Sequence, residues 1–131
     1  MTGISRKDQI IRRKILVVEP NPDFCNLIES FLTEKFSVDI TFVAKSQEAI
    51  ENLQLDQYSV VIQHYGPKYN DAIAVLAFLE KYQPKIPLII FGVDNPRLPI
   101  QYSNFVDKTN PKKLVEKFFE LWREIDEQKF N

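Results

Sequence analysis

The sequence predicts an α/β domain in which a parallel sheet is covered by helices on both faces. Two observations carry this expectation. Short apolar, β-branched segments alternate with segments of helical period through brief connections, which calls for right-handed crossovers and a parallel sheet. The leading segment, Lys14 to Glu19 (KILVVE), is nearly continuously apolar. That is the pattern of a strand buried on both faces, not of one with a solvated side.

The elements follow in order. Asn21-Pro22-Asp23 reads as a helix start: Asn21 can cap, Pro22 suits the first helical position, and Asp23 favours the positive end of the dipole. Phe24, Leu27, Ile28, Phe31 and Leu32 then recur at helical spacing as one buried face. Val38, Ile40 and Phe42 alternate with Asp39 and Thr41, the pattern of a half-buried edge strand. Ser46 is the expected cap of a helix carrying Ala49, Ile50 and Leu53, and Tyr58 to Ile62 is the third strand. Gly66-Pro67 marks a loop before a helix from Asp71 to Tyr82, whose apolar stripe reads as Ile73, Leu76 and Leu79 with Val75 and Phe78 in surplus. Lys85 to Gly92 supplies the fourth strand, with its proline near the start, and Tyr102 to Val106 the fifth. Between them, VDNPRLPIQ contains Pro96 and Pro99, which forbid a regular helix. Thr109 or Asn110 should cap the last helix with Pro111 at its first position. Leu114, Phe118, Leu121, Trp122 and Ile125 form its inner stripe, and Val115 and Phe119 lie beside it.

The bulk properties bound the function. A chain of 131 residues holds one core of ordinary size. Residues 1–13 read as a basic lead-in and 14–128 as the domain. An apolar fraction of 44%, a charged fraction of 27% and a net charge of −1 give no general drive toward nucleic acid or anionic membrane. Arg6, Lys7, Arg12, Arg13 and Lys14 crowd the start against Asp8; a solvated lead-in is the expected role, and an arm for an acidic partner the alternative. Cys25 is the single cysteine, so no internal disulfide can form and a reducing, cytoplasmic setting is expected. Neither a secretory leader nor a membrane-length apolar run is visible.

In a doubly wound sheet the site lies beyond the carboxyl ends of the strands. The residues there are Glu19 and Pro20, His64 and Tyr65, Gly92, and Lys108. At these positions the sequence resembles the receiver domain of bacterial response regulators, over Lys14 to about Glu127. KILVVEPNPDF, AKSQEAIENLQLDQYSVVI and FVDKTNPKKL carry the resemblance. It implies a flavodoxin-like three-layer sandwich with a five-stranded parallel sheet in the order 2-1-3-4-5, and here a fourth helix that is short or absent. In that family the first strand ends in a pair of acids that hold Mg²⁺, the third in the aspartate that takes phosphate, the fourth in a Ser or Thr switch, and the fifth in a lysine followed by proline. Glu19 and Lys108 match. Pro20 replaces the second acid, His64 falls at the phosphoacceptor, Gly92 replaces the hydroxyl, and Thr109 replaces the proline.

These departures make the expected pocket degenerate. Mg²⁺ prefers near-octahedral oxygen ligands with one or two carboxylates, and one glutamate beside an imidazole and a proline is a poor site. Phosphoryl transfer needs a nucleophile and a cation to neutralise the developing charge. The expectation is a non-enzymatic pseudo-receiver that uses no metal or cofactor and binds a protein partner, with a homodimer as one form of this and nucleic acid disfavoured. Glu19 should pair with both His64 and Lys108. Alternatives are a phosphate-responsive receiver using His64 or Asp71, a pH sensor at His64, and a small-anion or small-ligand module centred on Lys108. The absence of glycine from EPNPD argues against a phosphate-binding loop. Arg97, Tyr102, Val115 and Phe119 are the expected interaction surface.

Overall fold

A computed structural model describes residues 12–66, 71–93 and 104–130, with only the backbone described for residues 71 and 124–130. Among these residues the order is β1 (Arg13–Val18), α1 (Pro22–Lys35), β2 (Val38–Val43), α2 (Ser46–Leu55), β3 (Val60–Tyr65), α3 (Asp71–Tyr82), β4 (Leu88–Gly92), β5 (Phe105–Asp107) and α4 (Lys113–Phe130). The sheet runs β2-β1-β3-β4-β5, as expected, and every adjacent pair is parallel.

Side-chain alternation along the strands divides the interior into two layers. Ile15 and Val17, Val60 and Ile62, Ile89 and Phe91, and Val106 face α1 and α4, meeting Ile28, Leu32, Leu114, Phe118 and Leu121. Leu16 and Val18, Val61, and Leu88 and Ile90 face the other way, onto Ala49 and Leu53 of α2 and Val75, Leu76 and Leu79 of α3. Both faces of the central strands are therefore apolar, which is why their sequences run continuously apolar. Edge strand β2 buries Val38, exposes Asp39 and half-buries the rest.

Several boundaries shift. β1 begins and ends one residue early, and β4 starts at Leu88 because the preceding segment turns, with the Ile86 N–H donating to the Gln83 carbonyl at 3.2 Å. β3 is displaced furthest. It starts at Val60 and continues to Tyr65, since its ladder with β4 extends through His64↔Phe91 and Tyr65↔Gly92. In α3, Ile73 is exposed and Val75 fully buried, so the true stripe is Ala72, Val75, Leu76 and Leu79. That i, i+3, i+4, i+7 set is as regular as the expected one, but an apolar surplus left the register ambiguous.

Helix starts are partly as read. The Asn21 side chain accepts from the Asp23 N–H at 2.9 Å, and Pro22 is the first residue of α1. Replacing Asn21 with alanine should cost about 1 kcal/mol, read as a lower denaturant midpoint at unchanged slope. Ser46 is the first residue of α2 and buried, so the cap is Lys45, whose N–H donates to Glu48 Oε1 at 3.2 Å. α4 begins two residues later than Pro111. The chain enters it through tight turns, with Lys113 donating to the Asn110 carbonyl and Leu114 to the Pro111 carbonyl. The expected lead-in through residue 11, the proline-bearing segment at 94–103 with its short or absent helix, Pro67, and the side chain of Ile125 lie outside the described residues.

Candidate functional site

Alternation also sorts the strand ends. Continuing each strand by its own parity places Glu19, His64 and Lys108 on the α1/α4 side, with Ile15, Ile62 and Val106. The same parity places Val18 and Gln63 on the α2/α3 side. The two sides carry a triad and a cavity that share His64.

On the first side the expected triad assembles. Lys108 Nζ lies 2.6 Å from Glu19 Oε1 and 2.7 Å from His64 Nδ1, and His64 Nδ1 is 3.5 Å from the same glutamate oxygen. All of this is enclosed: the side chains of Glu19 and Lys108 are 1% and 5% exposed. An ammonium can only donate, so its short contact with His64 Nδ1 makes that nitrogen the acceptor and puts the imidazole proton on Nε2. One nitrogen cannot at once accept from Lys108 and donate to Glu19. The 2.7 Å contact takes precedence over the one at 3.5 Å. Glu19 Oε1 receives no aligned hydrogen bond, so its contact with Lys108 is an ion pair. Oε2 accepts from the Asn21 N–H at 3.1 Å, which ties the triad to the start of α1. Burial pushes the Glu19 carboxyl up. The Lys108 ammonium and the Asn21 N–H outweigh it and hold the group below its ordinary value.

Aromatic rings close the remaining sides of the ammonium. Nζ lies 4.3 Å from the ring centre of Phe24 and 5.3 Å from that of Phe91, and these rings meet edge to face. Phe24 was expected only as a core residue of α1. Its position as a lid over Lys108 follows from its place in the first turn, directly beyond the tip of β1. Cys25 is half-buried, its thiol 3.5 Å from the Glu19 carbonyl and pushed up by burial, in keeping with a packing role.

The end of β4 is closed by backbone. A Cβ built on Gly92 would lie 2.6 Å from the Tyr65 carbonyl oxygen and 3.2 Å from Tyr65 Cβ. The Gly92 carbonyl accepts from the Lys108 N–H at 2.8 Å. A side chain at 92 has no room unless β3 and β4 separate.

The sequence reading passed over Gln63. Its side chain is 1% exposed, and its Nε2 donates to the His64 carbonyl at 2.9 Å. With Val18, Pro20, Ala44, Lys45, Ser46 and His64 it lines a cavity of about 220 Å³. The available signal was a lone amide inside an apolar run, VVIQHY, hidden because the strand was ended at Ile62.

The donors present do not suit magnesium. Of the carboxylates at these strand ends, Glu19 has one oxygen committed to Lys108, and Asp107, the last residue of β5, has one accepting from the Thr109 N–H and hydroxyl. Pro20 offers no side-chain ligand, and no cluster of metal-ligating side chains occurs among the described residues. Of the expected surface, Phe119 is 54% exposed and packs against Phe36 with ring centres 4.9 Å apart and planes tilted by 56°, while Val115 borders a shallow recess with Phe31 and Lys35. Both therefore lie along the α1–α4 side. Arg97 and Tyr102 fall outside the described residues, and Asp71 is the first residue of α3.

Sheet order, layers and strand-end cluster together define the response regulator receiver fold. The Francisella response regulator 1452 receiver domain superposes with a TM-score of 0.73 at 20% identity, covering 87% of this chain and 99% of that one. The pseudo-receiver domain of CikA gives 0.65 at 22% identity over 83% of this chain and 96% of its own. RcsB of Salmonella typhimurium, a response regulator that interacts with DNA, gives 0.72 at 19% identity over 87% of this chain but only 62% of that protein. No protein-family model and no curated protein matches the chain in sequence. No helix among the described residues is long and apolar enough to cross a membrane.

Proposed function

We propose that this chain is a pseudo-receiver, a phosphorylation-independent protein-interaction module of a two-component or related regulatory system, acting in the cytoplasm without enzymatic activity. One observation carries the reading: the buried Lys108 ammonium is already held by Glu19 at 2.6 Å and His64 at 2.7 Å. In a phosphate-responsive receiver that lysine must be available to the incoming phosphoryl group. Here its charge is neutralised from within. The acceptor position supports the same conclusion whichever residue of the β3 tip is assigned to it. His64 points to Lys108 and Gln63 to the cavity beside Pro20, and neither is a carboxylate.

The triad would then set one conformation of the strand ends. The domain, residues 14–128, would present its surface at the last two strands, the segment between them and α4, with Arg97, Tyr102, Val115 and Phe119 as contact residues. The partner is a protein, a second copy of the chain included; nothing in the charge balance recruits nucleic acid.

Incubation with Mg²⁺ and a small phosphodonor, or with beryllofluoride, should leave the intact mass and the amide spectrum unchanged. A stoichiometric gain of one phosphoryl group, or saturable beryllofluoride-induced shifts at Lys108 and Gly92, would refute the proposal in favour of a phosphate-responsive receiver.

A further inference from the structure

We propose that His64 makes the strand ends a proton-operated switch: a proton taken up at its Nδ1 exchanges the Lys108–His64 bond for one from His64 to Glu19 and displaces the Phe24 lid. The inference rests on the triad geometry alone and holds whatever the surface binds.

Three distances carry it. Lys108 Nζ stands 2.7 Å from His64 Nδ1 and 2.6 Å from Glu19 Oε1, while Nδ1 and Oε1 are 3.5 Å apart. The bond at 2.7 Å uses the lone pair of Nδ1, and a proton there removes it. Two cations would then face each other inside an enclosed site, where charges are poorly screened. The contact has to open. Glu19 Oε1 is the acceptor waiting for the new N–H: it is buried, lacks an aligned donor and lies just beyond bonding range.

The surroundings decide which way the groups move. Among the described residues, the charged and titratable side chains about the triad are Glu19 from β1, Lys108 from β5, Cys25 of α1 and Lys45 at the start of α2. Lys45 lines the same cavity as His64, so an imidazolium swinging out of the triad into that space would approach a second cation. Glu19 holds it instead. Lys108 keeps a share of the carboxylate, and its other sides are the ring faces of Phe24 at 4.3 Å and Phe91 at 5.3 Å. Phe91 is fully buried in β4, whereas Phe24 is half-buried in the first turn of α1, so Phe24 is the ring that yields. Protons reach His64 because its side chain is 15% exposed and its cavity is bordered by exposed Pro20, Ala44 and Lys45. Histidine takes up its proton where carboxylates are still ionised. Glu19, held below its ordinary 4.5, keeps its charge through that range.

The test is a pH titration of the isotopically labelled full chain from about pH 8 to about pH 5, following the His64 ring nitrogens, Lys108 Nζ and the Phe24 ring by NMR. Nδ1 should change from an unprotonated to a protonated nitrogen while Nε2 keeps its proton, and the Lys108 and Phe24 signals should shift with the same midpoint. In His64→Gln, whose side-chain carbonyl can still accept from Lys108 but takes up no proton, both shifts should be lost. Should that variant fail to fold, the parent decides by itself, since shared or separate midpoints are read within one chain. Absence of a proton on Nδ1 down to about pH 5, its uptake without movement at Lys108 and Phe24, or the same movement in a folded His64→Gln would overturn the proposal.

Discussion

Gly92→Thr, the change that would restore a hydroxyl at the receiver switch position, is expected to destabilise the domain without creating a switch. The cause is the 2.6 Å separation between a Cβ at this position and the Tyr65 carbonyl oxygen. That oxygen is backbone, on a strand hydrogen-bonded in register with Gly92, and it cannot swing aside as a side-chain terminus would. Gly92→Ala introduces the clash by itself. Elsewhere in a strand the same change usually helps by about 0.4–1 kcal/mol, because glycine loses more chain entropy on folding. Overpacking costs about 1–3 kcal/mol, so the clash should win and the sign should be unfavourable. Threonine adds two further heavy atoms to the same crowded point and should cost more than alanine. Urea unfolding of the three proteins decides the matter: a Gly92→Thr stability within about 0.5 kcal/mol of the parent would show that the strands part readily. The prediction bears on the proposed function, since under that reading the glycine at this position would be a requirement of the backbone.

What the sequence disclosed, and what it hid, follows from the range over which each signal acts. The central strands were legible because a doubly buried strand writes its pattern locally; the sheet order and the strand-end identities came from the receiver resemblance, in which Glu19 and Lys108 have counterparts. Their convergence with His64 needed only the two-residue repeat of a strand: from Ile15 to Glu19, Ile62 to His64 and Val106 to Lys108 the parity is preserved. Gln63 was missed for the complementary reason. Ending β3 at its last aliphatic residue ignored that a parallel ladder can carry polar residues to its tip when neighbouring backbone satisfies part of their hydrogen bonding, as the His64 carbonyl does for Gln63 Nε2. The closure over Gly92 left no local trace, because it depends on how closely two strands approach at their ends. The lid formed by Phe24 was visible as an apolar residue but not as a partner of a cation. Stripe assignment in α3 failed between Ile73 and Val75 because both choices satisfy helical spacing.

Loss of the Glu19 carboxylate should be the most damaging single change in the site. Glu19→Gln keeps the shape and the bond from the Asn21 N–H but leaves the Lys108 ammonium, 5% exposed, with one neutral imidazole and two ring faces. Breaking one partner of a buried ion pair costs about 3–5 kcal/mol, against a total stability of about 5–15 kcal/mol for a domain. Lys108→Met should do comparable harm by stranding the glutamate. The double variant Glu19→Gln/Lys108→Met removes both charges and should recover most of the loss, since matched apolar replacement of a buried pair is often neutral. Recovery of that kind separates a coupled pair from two independently packed residues, for which the losses would add. Acid provides the second readout. The folded-state carboxyl lies below its ordinary value of 4.5, so its stabilisation is complete above that pH and fades as the pH falls through the folded value. The stability gap between parent and Glu19→Gln should therefore be widest near neutrality and narrow in strong acid. A gap that is constant with pH, together with additive single losses, would mean that Glu19 and Lys108 sit side by side without holding each other.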